Sequence, residues 1–473
     1  MHIRKGFKTH LMKTDAKYVN TSYIADRLDA NYYSDKYLVI EQQIKNSGYK
    51  VVKYHDICDV IKCGPFGSSV LAENYNDTGI IMIRPLNLKE VLLSEDELVR
   101  FPEESLGTDF PVFEAGDILF ARVGTPSCSI IPNSIEKVTI SPNIIASKLK
   151  KAINKYYVAL FLNTDYGLNQ LERRFKAVSQ PTISTDEIKT IDIVLPDVHI
   201  QNYIGNKVRK AKELREEAKR LKKEVSVMFD EILKFEQKNI ESKSWIVPEQ
   251  IMSERLDINY YNQDYLFVRK FLDGESLQVT RLRDLVKTIY GGYPFSSDDF
   301  SSDNGIPLIR IRDINPDLIN TDVDTYLDKN KFMDKSMYLS DSETVVVGMD
   351  GNFIAGAFIE EMPKVFINQR IGIIKTYDKF MAHYLAFYIN HYLGQVQLNR
   401  ESVITTVAHI SLRDIENILI VLPDNKTLEE ISTKLYKACH NLYMSKKLIG
   451  EAKQDVEDLI EGKFDESKIS EGV

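Results

Sequence analysis

Apolar and polar positions follow two different rhythms along the chain, and each rhythm occurs twice. The first consists of short β-branched runs, Gly79 to Arg84, Asp117 to Arg122 and Thr344 to Met349, separated by clusters of Gly, Asn, Asp and Pro. Such runs between turn residues predict strands in mixed globular domains. The second rhythm begins after the Leu-Pro-Asp tripeptides at 195–197 and 422–424. There apolar residues fall at Ile204, Val208, Ala211, Leu214, Ala218, Leu221, Val225, Met228, Ile232 and Phe235, in steps of four and three that alternate from Leu214 onward. The second copy runs Ile431, Leu435, Ala438, Leu442, Ser445, Ile449, Ala452, Val456 and Leu459. Heptad spacing of this kind predicts coiled-coil helices. A helix of roughly 35 residues is about 52 Å long, longer than a small domain is wide, so it acts as a spacer. The economical packing is an antiparallel pair along both seams, with a globular domain at each end related by an approximate two-fold.

The strand-forming parts repeat as well. Arg27-Leu28-Asp29-Ala30-Asn31-Tyr32-Tyr33 returns 228 residues later as Arg255-Leu256-Asp257-Ile258-Asn259-Tyr260-Tyr261. Gly64-Pro65-Phe66-Gly67-Ser68-Ser69 is answered by Gly292-Tyr293-Pro294-Phe295-Ser296-Ser297, and Gly79-Ile80-Ile81-Met82-Ile83-Arg84 by Gly305-Ile306-Pro307-Leu308-Ile309-Arg310. Ile191 to Asp197 matches Ile418 to Asp424. Collinear echoes over most of the chain mark one unit written twice, at about 17–242 and 243–469, with a boundary near Lys243-Ser244-Trp245.

Composition narrows the class. With 473 residues, 43% hydrophobic and 15 prolines, the chain is an ordinary globular protein of about three units. No run reaches the apolar length of a membrane span and the N-terminus lacks a signal-peptide pattern, so no membrane role and a cytoplasmic location are expected. Cys58, Cys63, Cys128 and Cys439 have neither paired spacing nor neighbouring histidines, which argues against disulfides and metal. The net charge of -8 is the wrong sign for a protein holding DNA by bulk electrostatics alone. Nucleic-acid binding therefore requires basic residues concentrated on one face, or partner subunits that supply phosphate contacts.

Two similar domains at a fixed separation suit a bipartite duplex target, as a dimer suits paired half-sites, and differing loops imply two unlike half-sites. The Leu-Pro-Asp that leads into a heptad helix, the Gly-Pro-Phe-Gly-Ser-Ser turn, the Ser141-Pro142-Asn143-Ile144-Ile145 segment and the duplicated layout resemble the specificity subunit of type I restriction-modification systems. The resemblance covers nearly the whole chain. It implies an α+β fold in which two pseudo-two-fold related α/β target-recognition domains are separated by two long antiparallel coiled-coil helices. The corresponding segments are 1–196 for domain one, 197–242 for the central spacer helix, 243–423 for domain two and 424–473 for the distal helix and tail. It further implies assembly on double-stranded DNA with two methyltransferase subunits that modify adenine and with motor-nuclease restriction subunits. S-adenosylmethionine, ATP and Mg are then expected on those partners, with no cofactor and no catalytic residue on this chain.

The residues agree with a non-catalytic role. An Asn/Asp-Pro-Pro-aromatic motif for a flipped adenine is absent, as is a Gly-x-x-x-x-Gly-Lys-Ser/Thr phosphate loop. Asp186-Glu187-Ile188-Lys189 matches a nuclease fragment, but after Ser184 it reads as the acid-rich first turn of a helix.

Base readers are expected among polar residues that diverge between the repeats beside shared framework. In domain one these are Asn87, Arg122, Thr125, Ser127, Gln180 and Thr182; in domain two they are Arg312, Asp313, Asp350, Asn352, Arg370 and His409. The turn residues Lys62, Gly64, Ser68, Ser69, Tyr293 and Ser296 are candidates for backbone or base contact, with a purely structural turn as the competing reading. Arg84 and Arg310 end matching strands; their repetition favours phosphate or framework roles over base reading. Arg173, Arg174 and Lys176 form a local basic cluster suited to phosphate, or else a solvated helix face. Two other functions compete with the main reading. One is a specificity subunit serving a fused methyltransferase-nuclease. The other is a coiled-coil adaptor that never touches DNA.

Overall fold

In each half, the apolar runs become strands of a central sheet from whose edges the connecting loops leave. The computed structural model describes residues 24, 27, 29–65, 75–95, 97–107, 110–176, 179–235, 244–249, 252, 255, 257–258, 260–274, 277–301, 305–404 and 407–471. The chain divides into two compact units. Unit 1 comprises Met1–Arg209 with Ile449–Val473, and unit 2 comprises Lys210–Leu448.

In unit 1 a five-stranded sheet has the order Cys58–Cys63, Ile144–Leu149, Ile118–Ala121, Cys128–Ile130, Val91–Leu92. A four-stranded sheet runs Val99–Phe101, Ile80–Ile83, Lys137–Ile140, Val112–Glu114. Ile83, Leu119, Val138, Ile140, Ile144 and Ala146 join the two sheets in one core cluster. Ile118–Ala121 is buried at every position, so its unbroken apolar run follows from coverage on both faces. In unit 2 the corresponding sheet is Thr288–Gly291, Ile371–Lys375, Thr344–Gly348, Ala355–Ala357, and a second sheet runs Phe300–Ser301, Tyr326–Leu327, Ile306–Ile309, Phe366–Ile367.

The internal repeat is visible down to single hydrogen bonds. Tyr157 donates its hydroxyl to the Val194 carbonyl at 2.7 Å, and Tyr384 does the same to Val421 at 2.5 Å. Gln170 brackets the backbone of Asp192, donating to its carbonyl and accepting from its N–H at 2.9 Å each; Gln397 brackets Leu419 at 3.0 and 2.8 Å. Gly79 and Gly305 both take positive φ, +103° and +126°, with a neighbouring carbonyl oxygen 2.2 Å from where a Cβ would lie. Only glycine fits there.

The heptad seams form helices of 36 residues each, Val198–Leu233 and Asn425–Ile460. Within unit 1, Lys207 meets Asp455 at 2.5 Å. Within unit 2, Arg215 donates to Ser445 at 2.9 Å, Lys437 meets Glu217 at 3.3 Å and Lys434 meets Glu224 at 2.8 Å. One residue number falls as the other rises in every pair, so the helices are antiparallel. Ile204, Val208, Ala211, Ala218, Leu221, Val225, Ile431, Ala438, Ile449, Ala452, Val456 and Leu459 are buried as the seam requires, while Leu214, Leu435 and Leu442 are half-buried. Ala218, Leu221 and Ala438 form a small cluster with Leu442 against it.

Two seam expectations are corrected. After Val225 the buried positions are Phe229 and Leu233, at steps of four, and Met228 is only half-buried. The spacing shifts because an α-helix does not hold a heptad face once it leaves a coiled coil and packs into a globular core. Phe229 sits among Phe387, Tyr388 and His391, with ring centroids 5.3, 6.0 and 5.1 Å away. Phe235 lies beyond the helix end, where Lys234 has φ +49°, and packs on Phe271 at 4.7 Å. Of the expected central segment, residues 236–242 lie outside the described residues.

Candidate nucleic-acid interface

Three strand ends meet at one edge of the main sheet in unit 1. Cys63 pairs with Ile145 and Ala121 pairs with Ile144, so the turn after Cys63, the turn before Ile144 and the segment after Ala121 leave together. Backbone hydrogen bonds lock them. Gly64 donates to Ile144 at 3.0 Å, Arg122 to Asn143 at 2.9 Å and Ser141 to Ile83 at 3.0 Å. The segment before Ile183 is then added: Ile183 donates to Arg122, and Gly124 to Pro181. This edge gathers Lys62, Arg122, Thr125, Gln180 and Thr182, five of the residues expected to contact DNA. Lys62, Thr125 and Gln180 are exposed, Arg122 and Thr182 half-exposed.

Unit 2 builds the same edge. Gly292 donates to Ile371 at 2.8 Å, Met349 to Arg370 at 3.1 Å and Asn368 to Ile309 at 3.2 Å; Ile410 donates to Met349 and Gly351 to Ala408. Gly64 and Gly292 each lie with a backbone oxygen, of Ser141 and of Asn368, 2.1 and 2.0 Å from a would-be Cβ, which requires glycine for this approach. Asp350, Asn352, Arg370 and His409 are gathered here. His409 Nδ1 lies 2.5 Å from Asp350 Oδ1, and Arg370 Nε 3.4 Å from Asp350 Oδ2.

The chemistry of the two edges differs. In unit 1 the guanidinium of Arg122 donates to the Pro142 carbonyl at 3.1 Å, and Cys63 Sγ approaches the same oxygen at 3.5 Å. Burial pushes the Cys63 thiol above its ordinary pKa, with Arg122 opposing, so it stays a neutral thiol at neutral pH. In unit 2 the centre is an ionic cluster.

Several expected contacts lie elsewhere or inside. Arg173 and Arg174 are buried. Arg173 donates to the Tyr32 carbonyl at 2.7 Å and to Glu41 at 2.8 Å; Arg174 donates to Thr190 Oγ1 at 2.9 Å and to the Gln170 carbonyl at 2.8 Å. The basic cluster is therefore framework, with Lys176 alone of the three exposed and paired to Glu187 at 2.7 Å. Asn87 and Asp313 are buried caps at equivalent places, accepting from the backbone N–H of Arg84 at 3.0 Å and of Arg310 at 2.8 Å. A buried capping residue has no free edge for a base. Arg84 donates to the Glu97 carbonyl at 2.7 Å and Arg310 to Thr325 at 3.1 Å. Arg312 pairs with exposed Asp324 at 2.9 Å. Tyr293 packs on Phe295 and Tyr338, with centroids at 4.8 and 5.1 Å, and Ser296 caps Asp298 N at 3.3 Å, so both serve their own turn. Ser127 is half-exposed in the hairpin after Arg122. Ser68 and Ser69 lie outside the described residues. Asn143, exposed at the centre of the unit 1 edge, is not among the expected contacts, since its Ser-Pro-Asn-Ile-Ile segment entered the sequence reading only as a carrier of the family resemblance. Alignment of the repeats places it opposite Arg370, which is the signal that finds it.

Among the described residues no group of three or more His, Cys, Asp or Glu is placed to hold a metal ion, and no helix is long and apolar enough to cross a membrane. All four cysteines are free.

The family model described as type I restriction modification DNA specificity domain matches the chain twice, at residues 46–225 and 275–451. The chain belongs to that family. Each match takes in one complete sheet edge and most of one long helix, so the type I specificity domain is the repeat itself. No curated protein matches the chain. Among solved structures, it is similar to the S subunit of a type I restriction-modification system from M. genitalium, at 11% identity and TM-score 0.46 over 89% of this chain and 96% of that one. It is also similar to the HsdS subunit from Thermoanaerobacter tengcongensis, at 14% identity and TM-score 0.28 over 88% and 96%. A third match, at 12% identity and TM-score 0.30 over 89% and 98%, comes from work on complex assembly and conformational transition of the type I R-M system.

Proposed function

We propose that this type I specificity chain is the DNA sequence-recognition subunit of a restriction-modification complex and reads a bipartite, asymmetric target with one unit per half-site. One observation carries the reading. The same hydrogen-bonded sheet edge occurs twice in one chain, with its backbone preserved and its exposed side chains changed. A preserved edge offers each half-site an equivalent rigid platform, and changed side chains make the half-sites unlike. The subunit has no chemistry of its own in this reading. It directs two partner methyltransferase subunits to adenines in the target and, for cleavage, motor-nuclease restriction subunits, with S-adenosylmethionine, ATP and Mg held by those partners, in the cytoplasm. Partners also answer the charge problem: with a net charge of -8 the chain alone releases few counterions, so its own DNA binding is weak and the complex binds tightly and with strong salt dependence. Sequencing the methylated positions in DNA from cells that carry the complete system tests this. The expected result is an adenine-modified motif of two different blocks separated by an unspecified spacer; a single uninterrupted motif, or incorporation of methyl groups by the purified chain alone, contradicts it.

A further inference from the structure

We infer that Asn143 and Arg370 occupy one base-reading position, Asn143 selecting adenine in one half-site and Arg370 guanine in the other. The inference rests on the DNA-reading function proposed above and assigns it to an atom-level position.

The two residues hold the same backbone place. Each closes a four-residue turn, with Ile144 N–H donating to Ser141 at 3.0 Å and Ile371 N–H to Asn368 at 3.1 Å. Each gives its carbonyl to the first residue after the neighbouring strand, Asn143 to Arg122 and Arg370 to Met349. Each is followed by a buried isoleucine whose carbonyl accepts from the obligatory glycine, Gly64 or Gly292. The backbone is thus fixed from three sides, while both side chains are exposed. Rigid backbone under an exposed polar side chain is the arrangement base reading needs, because little ordering cost is left for binding.

The surroundings have changed to suit each side chain. Arg370 is held through Nε by Asp350, which is steadied in turn by His409 at 2.5 Å, and among the described residues neither Nη of Arg370 has a partner. A carboxylate on Nε leaves the two outer N–H groups to fork onto guanine O6 and N7. Asp350 and His409 are positioning residues in this arrangement. In unit 1 the equivalent places carry Val123 and Thr182, joined by the same bridge that joins Asp350 to His409. No carboxylate is there to hold a guanidinium, and the Asn143 carboxamide, which has no partner among the described residues, carries the donor and acceptor that match adenine N7 and N6.

The test selects a randomised duplex library with the full chain, assembled with its methyltransferase subunits and alone, for the wild type and for Arg370→Lys, Arg370→Asn and Asn143→Asp. Arg370→Lys keeps the charge and loses the fork. Both Arg370 variants are expected to lower the preference for guanine at one position of one half-site by about 10- to 100-fold, with the other half-site unchanged. Asn143→Asp is expected to remove an adenine preference in the opposite half-site by a similar factor. An even loss across all sequences with a shallower salt dependence would make Arg370 a phosphate contact, and unchanged enrichment would make it plain surface; either result overturns the inference while leaving a wild-type motif intact. A wild-type assembly that enriches no motif overturns the proposed function itself.

Discussion

The sheet edges of unit 1 and unit 2 share a backbone and share almost no exposed chemistry. Gly64 and Gly292, Gly124 and Gly351, and Ile183 and Ile410 hold the same turns and bonds, whereas Arg122, Asn143 and Thr182 face Met349, Arg370 and His409 across the repeat. The helix stretches differ in the same way. Unit 1 buries an ion pair, Lys207 with Asp455, where unit 2 buries Ala218, Leu221 and Ala438 beside an Arg215 to Ser445 hydrogen bond. At the sheet edges the positions that fix the backbone are thus constrained to one solution while the side chains beside them diverge, and in the helix pair even buried positions take two solutions.

The largest expected effect strikes the helix pair of unit 1 only. Lys207→Ala leaves the buried Asp455 carboxylate with the longer, more exposed contact to Lys468 at 3.5 Å and should destabilise that unit by about 3 kcal/mol in chemical denaturation, whereas replacing both partners, Lys207→Met with Asp455→Leu, should come out near neutral or stabilising. Equal losses for the single and double variants would mean that the ion pair is not what holds this stretch. The pair also has a pH signature. Burial opposes the Lys207 charge, but the hydrogen bonds to Asp455 and Tyr203 outweigh it and hold its pKa above the ordinary lysine value. A raised lysine gives stability that is complete below the unfolded-state pKa and is lost as pH climbs through the folded-state value. Denaturation followed across the alkaline range should therefore show unit 1 weakening above about pH 10.4, the ordinary lysine value; a loss beginning near neutrality contradicts this.

Next come buried Arg173 and half-buried Arg400, which sharpen the division between framework and candidate contact. Arg173→Ala and Arg400→Ala remove equivalent bonds, to the carbonyls of Tyr32 and Tyr260, and stacking over those rings at 4.0 and 3.7 Å. Each should cost about 2–3 kcal/mol by calorimetry. A loss of DNA affinity without loss of stability would return Arg173 to the phosphate contacts first expected of it.

The smallest effect is a matched pair. Tyr157→Phe and Tyr384→Phe each delete one buried hydroxyl bond to a strand carbonyl and should cost about 1 kcal/mol, alike in the two units. Unequal values would show that the shared scaffold is shared in geometry only.

Much of this was legible in the residues. Repeats, heptads and Leu-Pro-Asp junctions lie in order along the chain, and periodicity reports directly on which face is buried. The candidate edge was half legible. Arg122 and Thr182 in unit 1, and Asp350, Arg370 and His409 in unit 2, all came to one kind of edge, as polar residues that diverge beside a shared framework. Asn87, Asp313, Arg173 and Arg174 were misjudged for a common reason: a polar residue that caps a turn or binds a carbonyl from another element looks, in a linear sequence, like polar surface. Burial is decided by elements distant in the chain, and no local pattern carries it. Asn143 was not among the candidates, and its exposure follows from the turn between Ser141 and Ile144, which the linear sequence does not show.

The most direct test of two independent readers on one scaffold is an exchange of residues 22–196 for the corresponding segment of another type I specificity chain, followed by sequencing of the methylated sites made by the assembled complex. One block of the motif should change and the other should remain. A change in both blocks, or in neither, would contradict the assignment of one half-site to each unit.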